Sequence, residues 1–385
     1  MRPWFVFADD RTGALEVAGA IAARGVGSVQ VVAGTQLPGA PTAHLVVDTG
    51  SRLLPGGVSV PHVADGVRVA HKIDSTLRGH WAAELVARAT QVPCMAVVVA
   101  ALPDAGRVCS GGVVLVNGVP VHEGPAGRDP VHPVRSSRPA DHLIAAGAPT
   151  VAEVGSAREL HDWLTANAHT AASPSEAHFL VCDAATNADI EEIAAVIIRA
   201  EATLGRAIVV AGTAAVVAAV VAHQASTGTL RPARTAHPAR VPSVVVVSAS
   251  LHPAARRQLA RLVTSTDVLD RVAVVVSPPS GRMVDPATAT LVSVEVAERA
   301  RRYVARHPGT ALVVVGGDTA AAVLGDSGVM VHGMLAPGTP WGTVLAPGEP
   351  LVVTRSGGFG GDDSLVELVR SLLGEVPSPH GDAAQ

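Results

Sequence analysis

Eight consecutive residues, Lys72-Ile73-Asp74-Ser75-Thr76-Leu77-Arg78-Gly79, hold two cations, a carboxylate and two hydroxyls. The apolar run Val67 to His71 before them reads as a strand, and His80 to about Ala89 after them reads as a helix. A polar loop between strand and helix is where open α/β sheets bind ligands, beyond the carboxyl ends of the strands. Lys and Arg at such a place suit an anion, Arg offering a two-pronged fork to carboxylate or phosphate. The same residues could instead form an Asp74–Arg78 ion pair, with Ser75 or Thr76 capping the helix.

The strand-end pattern recurs. Trp4 to Ala8 reads as a buried strand leading into Asp9-Asp10-Arg11-Thr12-Gly13-Ala14, then a helix to about Ala23 stopped by Gly25. One carboxylate or Thr12 suffices for a helix cap, so the acidic pair is in excess of that need. Strands at Val29–Val32 and Ala43–Val47 follow, the latter ending in Asp48-Thr49-Gly50-Ser51-Arg52. A strand at Pro93–Ala100 runs into Pro103-Asp104-Ala105-Gly106-Arg107. Asn117-Gly118 between two apolar runs predicts a hairpin, and Gly124 to Pro139 predicts a long surface loop.

The elements that position these residues alternate as βα units. They resume at Phe179–Cys182, a helix from Asp189 to about Leu204, Ala207–Ala211, and a helix from Thr213 to His223. Gly228 to Pro242, with three prolines and no apolar period, predicts an interdomain linker. The expected organisation is therefore a first domain over 1–227, a linker over 228–242, a second domain over 243–374 and a disordered tail over 375–385. The second domain shows strands at Val244–Val247, Val272–Val276, Ala311–Val315 and Leu351–Thr354. Helices are expected at Pro253–Val263, Val294–Arg306, up to Leu324, and over Leu365–Leu373, whose leucines and valine form a core-facing stripe. Gly316-Gly317-Asp318-Thr319 and Ser356-Gly357-Gly358-Phe359-Gly360-Gly361 each join a strand to a helix. Glycines there let successive backbone N–H groups converge on phosphate at a helix N-terminus. With the hydroxyls of Ser248 and Ser250, they predict a nucleotide site, though neither loop is a P-loop or a dinucleotide fingerprint.

Composition narrows the classes. The 385 residues are 48% hydrophobic and 16% charged, enough for two cores. A net charge of −4 and 2% aromatics argue against a nucleic-acid binder. Three cysteines, Cys94, Cys109 and Cys182, in no pairing or metal-ligand spacing, point to a reducing cytoplasm, and no run is long enough for a membrane span. The 16 histidines show no metal-ligand spacing, so no protein metal site is expected.

Taken together, the motifs resemble the four-carbon acid sugar kinases over nearly the whole length. The resemblance rests on Ala8-Asp9-Asp10-x-Thr12-Gly13-Ala14, Asp48-Thr49-x-Ser51-Arg52, Lys72 to Gly79, Pro103-x-Ala105-Gly106-Arg107, Val116 to Pro120 and Asp129-Pro130. It continues with Gly316 to Ala320, Pro337-Gly338-x-Pro340 and Ser356 to Gly360. It implies two α/β domains, each a mainly parallel sheet flanked by helices, with the active site in the cleft between them. It implies phosphorylation of a hydroxyl of threonate, erythronate or a 3-oxo-tetronate by ATP. Asp9 or Asp10 would accept the hydroxyl proton, with Asp74 the runner-up. Asp10, Arg52, Lys72, Asp74, Ser75, Thr76, Arg78 and Arg107 would contact the acid sugar, Arg52 and Arg78 its carboxylate. Ser248, Ser250, Gly316, Gly317, Asp318, Thr319, Gly357, Gly358 and Gly360 would contact ATP, whose phosphates Mg²⁺ would bridge with help from Asp318. A homo-oligomer is compatible with this reading. Two other readings are a non-catalytic relative that senses an acid sugar or nucleotide, and a nicotinamide-dependent hydroxy-acid oxidoreductase. The chain departs from the family pattern in Arg11, usually Leu, and in Ala249, usually Gly.

Overall fold

Runs of β-branched residues dominate the strands, and central strands buried on both faces carry them without alternation. The computed structural model describes residues 3–34, 37, 43–54, 60–63, 67–91, 95–129, 131–167, 177–205, 208–226, 237–265, 269–277 and 286–375. Cys94, most of the expected linker and residues 376–385 of the expected tail lie outside these. The chain forms two compact units, Met1–Arg234 and Thr235–Gln385.

The first unit runs β1 (Trp4–Ala8), α1 (Arg11–Ile21), β2 (Val29–Ala33), β3 (Leu45–Asp48), β4 (Arg68–Lys72), α2 (Trp81–Gln91) and β5 (Met95–Val99). A three-stranded antiparallel excursion follows: β6 (Arg107–Ser110), β7 (Val113–Val116) and β8 (Val119–Pro120). Then come α3 (Pro139–Ala145), β9 (Thr150–Val154), α4 (Ala157–Ala166), β10 (His178–Cys182), α5 (Asn187–Leu204), β11 (Ile208–Gly212) and α6 (Ala214–Ser226). The main strands pair in parallel in the order β2-β3-β1-β4-β11-β5-β10-β9. Connections from β1 lead to one side of the sheet and those from β4 to the other. The β1/β4 boundary is thus a topological switch point, where loops diverge and open a crevice. One face of this sheet packs Phe5, Phe7, Trp81, Leu85 and Phe179 into a core. The hairpin expected at Asn117-Gly118 joins β7 to β8, both turn residues having positive φ (50° and 82°) as a primed turn demands.

The second unit runs β12 (Val244–Ser248), α7 (Pro253–Val263), β13 (Val272–Val276), α8 (Pro286–Arg306), β14 (Ala311–Val315) and α9 (Gly317–Leu324). It ends with β15 (Val329–Ala336), β16 (Thr339–Val344), β17 (Leu351–Arg355) and α10 (Ser364–Leu373). Strand order is β13-β12-β14-β17-β16-β15, parallel as far as β17 and antiparallel beyond it. The chain leaves β12 for β13 and then crosses to β14, so this unit has its own switch point between β12 and β14. The expected stripe of α10 is realised: Leu365, Val369, Leu372 and Leu373 are buried in the core, with Leu368 at its margin. Gly374 closes the helix at φ 75°, the left-handed conformation of a helix terminator. Among the described residues no helix is long and apolar enough to cross a membrane.

Candidate active site

In the first unit the charged residues expected at strand ends converge on the β1/β4 switch point. Asp9 and Asp10 follow β1, and Ala8 is in register with Lys72 of β4, so Asp9 and the Lys72–Asp74 turn are neighbours. Arg52 sits in a short 3-10 turn after β3 and bridges the carboxylates. Its Nε and Nη2 donate to the two oxygens of Asp9 at 2.8 and 2.7 Å, and Nη1 donates to Asp10 Oδ2 at 2.7 Å. Asp74 Oδ1 stands 3.8 Å from the same guanidinium. Arg52, expected as a carboxylate holder for substrate, is therefore engaged first with the protein's own acids. The other oxygen of Asp10 accepts from Gly13 N at 2.8 Å and caps α1, so this residue is both helix cap and cluster member.

The turn from Lys72 to Gly79 holds a second cluster. Asp74 Oδ2 accepts from Arg78 Nε (2.9 Å), from Thr76 N (3.2 Å) and from the Thr76 hydroxyl, and Oδ1 accepts from Arg78 Nη2 (3.2 Å). The local ion pair is thus made, yet neither Ser75 nor Thr76 caps α2, which starts at Trp81. The Ser75 hydroxyl accepts from Arg107 Nη1 instead, which brings β6 to the site. Leu77 is buried with φ 64°, a costly conformation for a branched side chain. Gly79, at φ 88°, lies so close to Asp9 that a Cβ there would stand 2.5 Å from Asp9 Oδ2. Lys72 Nζ lies beside Gly13, 3.7 Å from Glu16 Oε2.

Burial pushes the Asp9 carboxyl up, Arg52 opposes the rise and Asp10 adds to it. Burial also works to raise Asp74, but Arg78 and Arg52 outweigh it and hold this carboxyl well below the usual range. The two acids thus have different affinities for a proton.

Further residues, beyond those expected to contact the sugar acid, complete the cluster. Asp129 accepts from Arg78 Nη1 at 3.3 Å and from the backbone N–H groups of Val131 and His132 at 3.0 and 2.9 Å. His132 Nε2 donates to the Arg52 carbonyl and its ring meets that of His80 edge-on, 4.7 Å between centroids. Glu84, a buried acid on α2, accepts from Ser51 Oγ, fixing the turn that carries Arg52. Arg11, which follows the acidic pair in sequence, turns into the core and pairs with Asp48, Nε to Oδ2 3.2 Å. Burial nevertheless pushes Asp48 up to about 6, with Arg11 opposing.

In the second unit three adjacent parallel strands, β12, β14 and β17, deliver their loops to one place. Ser248 Oγ donates to the Val315 carbonyl (2.9 Å), tying β12 to β14. Ala249 N donates to Thr319 Oγ1 (2.9 Å), and Ser250 N to Ser248 Oγ (3.2 Å). A Cβ on Gly316 would meet Ser250 Cβ at 3.2 Å, and one on Gly357 would meet Ser250 Oγ at 2.8 Å. Both glycines thus lie close against the Ser250 side chain. Gly358 lies beside the His252 ring, and Gly360 has φ 83°. Gly317 and the exposed Asp318 open α9. Gln258 Nε2 donates to the carbonyls of Phe359 and Gly360 at 2.9 and 3.0 Å, shaping the second glycine loop from below.

Residues 4–220 match the family described as sugar-binding N-terminal domain, and residues 280–365 the one described as nucleotide-binding C-terminal domain. These are the two halves of a class of phosphotransferases with an alcohol group as acceptor. The chain belongs to the four-carbon acid sugar kinase family. It is 31% identical over 347 residues to a D-threonate kinase of Bordetella bronchiseptica, covering 79% of this chain and 78% of the relative. It is 31% identical over 208 residues to a D-erythronate kinase of Heliobacterium modesticaldum, covering 49% and 46%. A solved structure from Salmonella typhimurium LT2 superposes with a TM-score of 0.74 at 17% identity, covering 96% of this chain and 100% of that one, and shows the same fold.

Two outcomes follow from this geometry. Gly79→Ala adds a Cβ at positive φ against Asp9 and should lower stability by about 1–3 kcal/mol in urea unfolding, whereas unchanged stability would mean the approach is not tight. For Asp48 the folded-state value, about 6, lies above the ordinary 3.8. The folded protein then keeps a proton that the unfolded chain has lost, so its stability falls as pH rises from about 4 to about 6 and levels beyond. Asp48→Asn should remove the part of that fall that Asp48 contributes, on the order of 2–3 kcal/mol, in urea titrations run across this window.

Proposed function

We propose that the protein is an ATP-dependent kinase that phosphorylates a hydroxyl of a four-carbon sugar acid of the threonate, erythronate or 3-oxo-tetronate type. The observation that carries this reading is the gathering of Asp9, Asp10, Arg52, Lys72, Asp74 and Arg78 at one switch point. A small polyhydroxy anion needs cations for its carboxylate, hydroxyl partners, and one carboxylate able to take a proton. The names of the threonate and erythronate kinase relatives support the same substrate class.

In this reading the first unit, taken as residues 1–227, binds the sugar acid. Arg78, half-buried, and Arg107 hold the carboxylate, while Ser75 and Thr76 contact hydroxyls. Asp10 accepts the proton of the attacking hydroxyl, since its side chain is 24% exposed and takes one bond from Arg52, whereas that of Asp9 is 3% exposed and takes two. Asp74 is the poorer base, because its guanidinium partners favour the ionised form. Lys72, beside the N-terminal turn of α1, faces the phosphoryl group in transfer. The second unit, taken as residues 243–374, binds ATP through Ser250, Gly316 to Thr319, Gly357 and Gly358. Ser248 holds the strand ends together, and Gly360 shapes the loop.

Mg²⁺ would come with the nucleotide and neutralise its phosphates, the usual habit of a hard cation that keeps much of its water. Among the described residues no group of three or more His, Cys, Asp or Glu could hold a metal ion, and Asp318 would help to hold the one the nucleotide brings.

ADP release measured over the stereoisomers of threonate, erythronate and 3-oxo-tetronate tests this reading. One four-carbon acid should lead the panel, and ATP binding without stimulation by any of them would overturn the kinase assignment. Asp10→Asn should lower kcat by about 10²-fold or more with little change in the KM for ATP. Wild-type turnover in that variant would remove Asp10 from the role of base.

A further inference from the structure

Arg355 ends β17 directly beneath the second glycine loop, and its side chain is almost fully enclosed, the residue being 4% exposed. Only Nη2 is engaged, donating to the Phe359 carbonyl and to Ser364 Oγ at 3.1 Å, while Nε is buried with no hydrogen-bond partner. Among the described residues no carboxylate pairs with this guanidinium. The contrast with the first unit is direct, since Arg11, Arg52 and Arg78 each face an acid. Asp362 and Asp363 follow the loop, but both are exposed and are drawn to Arg257 (3.0 Å) and Arg261 (2.6 Å) on α7.

A buried charge without a partner is strongly unfavourable in a folded protein. The placement compounds this, because Ser364 is the first residue of α10 and the N-terminal end of a helix repels a cation. Burial pulls the guanidinium down from its ordinary range, with no neighbouring charge opposing it. Both penalties reverse when an anion rests on the loop above, since the anion favours the helix N-terminus and the guanidinium alike. The loop has the geometry to accept one, with Gly357 drawn against Ser250 and Gly360 left without a Cβ over Arg355.

We propose that Arg355 is the buried counter-charge for a phosphate group of the bound nucleotide, held by the loop Ser356–Gly361. This deepens the reading of the second unit as the ATP site and rests on it. Arg355 does not face open solvent. It acts through the floor of the loop and through Phe359, so its charge is released from isolation only when the phosphate is present.

Calorimetric titration with ADP and with adenosine, together with urea unfolding of the ligand-free proteins, tests this. Arg355→Met should weaken ADP binding by about 30-fold or more, leave adenosine binding within about twofold, and leave ligand-free stability equal to or above wild type. Arg355→Lys should retain most of the ADP affinity. Should the Met variant not fold, Arg355→Gln, which can keep the Phe359 contact without the charge, takes the same titration. Equal ADP affinity in wild type and variant overturns the inference while leaving the nucleotide site standing. Parallel losses of ADP binding, adenosine binding and ligand-free stability overturn it in favour of a purely structural clamp on Phe359. Failure of wild type to bind ADP overturns the nucleotide reading itself.

Discussion

The crevice of the first unit depends on one guanidinium. Asp9, Asp10 and Asp74 are brought together by strand register, and three carboxylates in a largely desolvated place repel one another and resist burial. Arg52 answers all three, and much of the surrounding structure serves to hold it there. Glu84 fixes Ser51 beneath it, His132 takes its backbone carbonyl, and Gly79 gives way to the acid it grips. A charge network that is satisfied in this way is rigid, while loss of any one member leaves an uncompensated charge behind.

The two units arrange their strand-end loops by different means. The first uses side-chain charge, arranged so that Arg78 keeps some exposure while it is steadied by Asp74 and Asp129. The second uses backbone, with the loops after β12, β14 and β17 crowded together so that Gly316, at φ 108°, and Gly357 lie close against the Ser250 side chain. A compact carboxylate with hydroxyls suits the first solution and a chain of phosphates suits the second. Arg11 belongs to neither. Its burial against Asp48 makes it part of the support under β1 and β3 rather than of the crevice lining.

Much of the fold was legible because β-branched runs such as Val244–Val247 and Ala311–Val315 can hardly be anything but buried parallel strands, and because Gly25, Gly118 and Gly374 punctuate where positive φ is needed. The strands β6, β9, β15 and β16 and the helices α3 and α4 were not foreseen. Thr150–Val154 lies at the sheet edge and mixes polar residues into its run, and Val329–Ala336 interrupts its apolar pattern with His332 and Gly333. Helix α8 starts at Pro286, before the expected Val294, because its first turns carry Thr and Ala in place of an apolar stripe. The site's charges could be read from their positions after strands, whereas their pairings could not. Arg78 with Asp129, Ser51 with Glu84 and Arg11 with Asp48 join residues 51, 33 and 37 apart. Such pairs follow from strand order and register, which one sequence does not display.

The place of β11 in the first sheet has a consequence for how the chain assembles. This strand, residues 208–212, lies between β4 and β5, which precede it by more than a hundred residues. During synthesis β4 and β5 emerge long before the strand that must separate them, each with an inner edge bare of its partner. The middle of the sheet therefore closes last. Pairings of such long sequence separation make for slow folding, and exposed apolar edges in the interval invite association with other chains. A chain truncated before Ile208 would keep Asp9, Arg52 and Asp74 in its sequence but lack the strand that supports the end of β4, where Ile73 N donates to the Gly212 carbonyl at 2.9 Å.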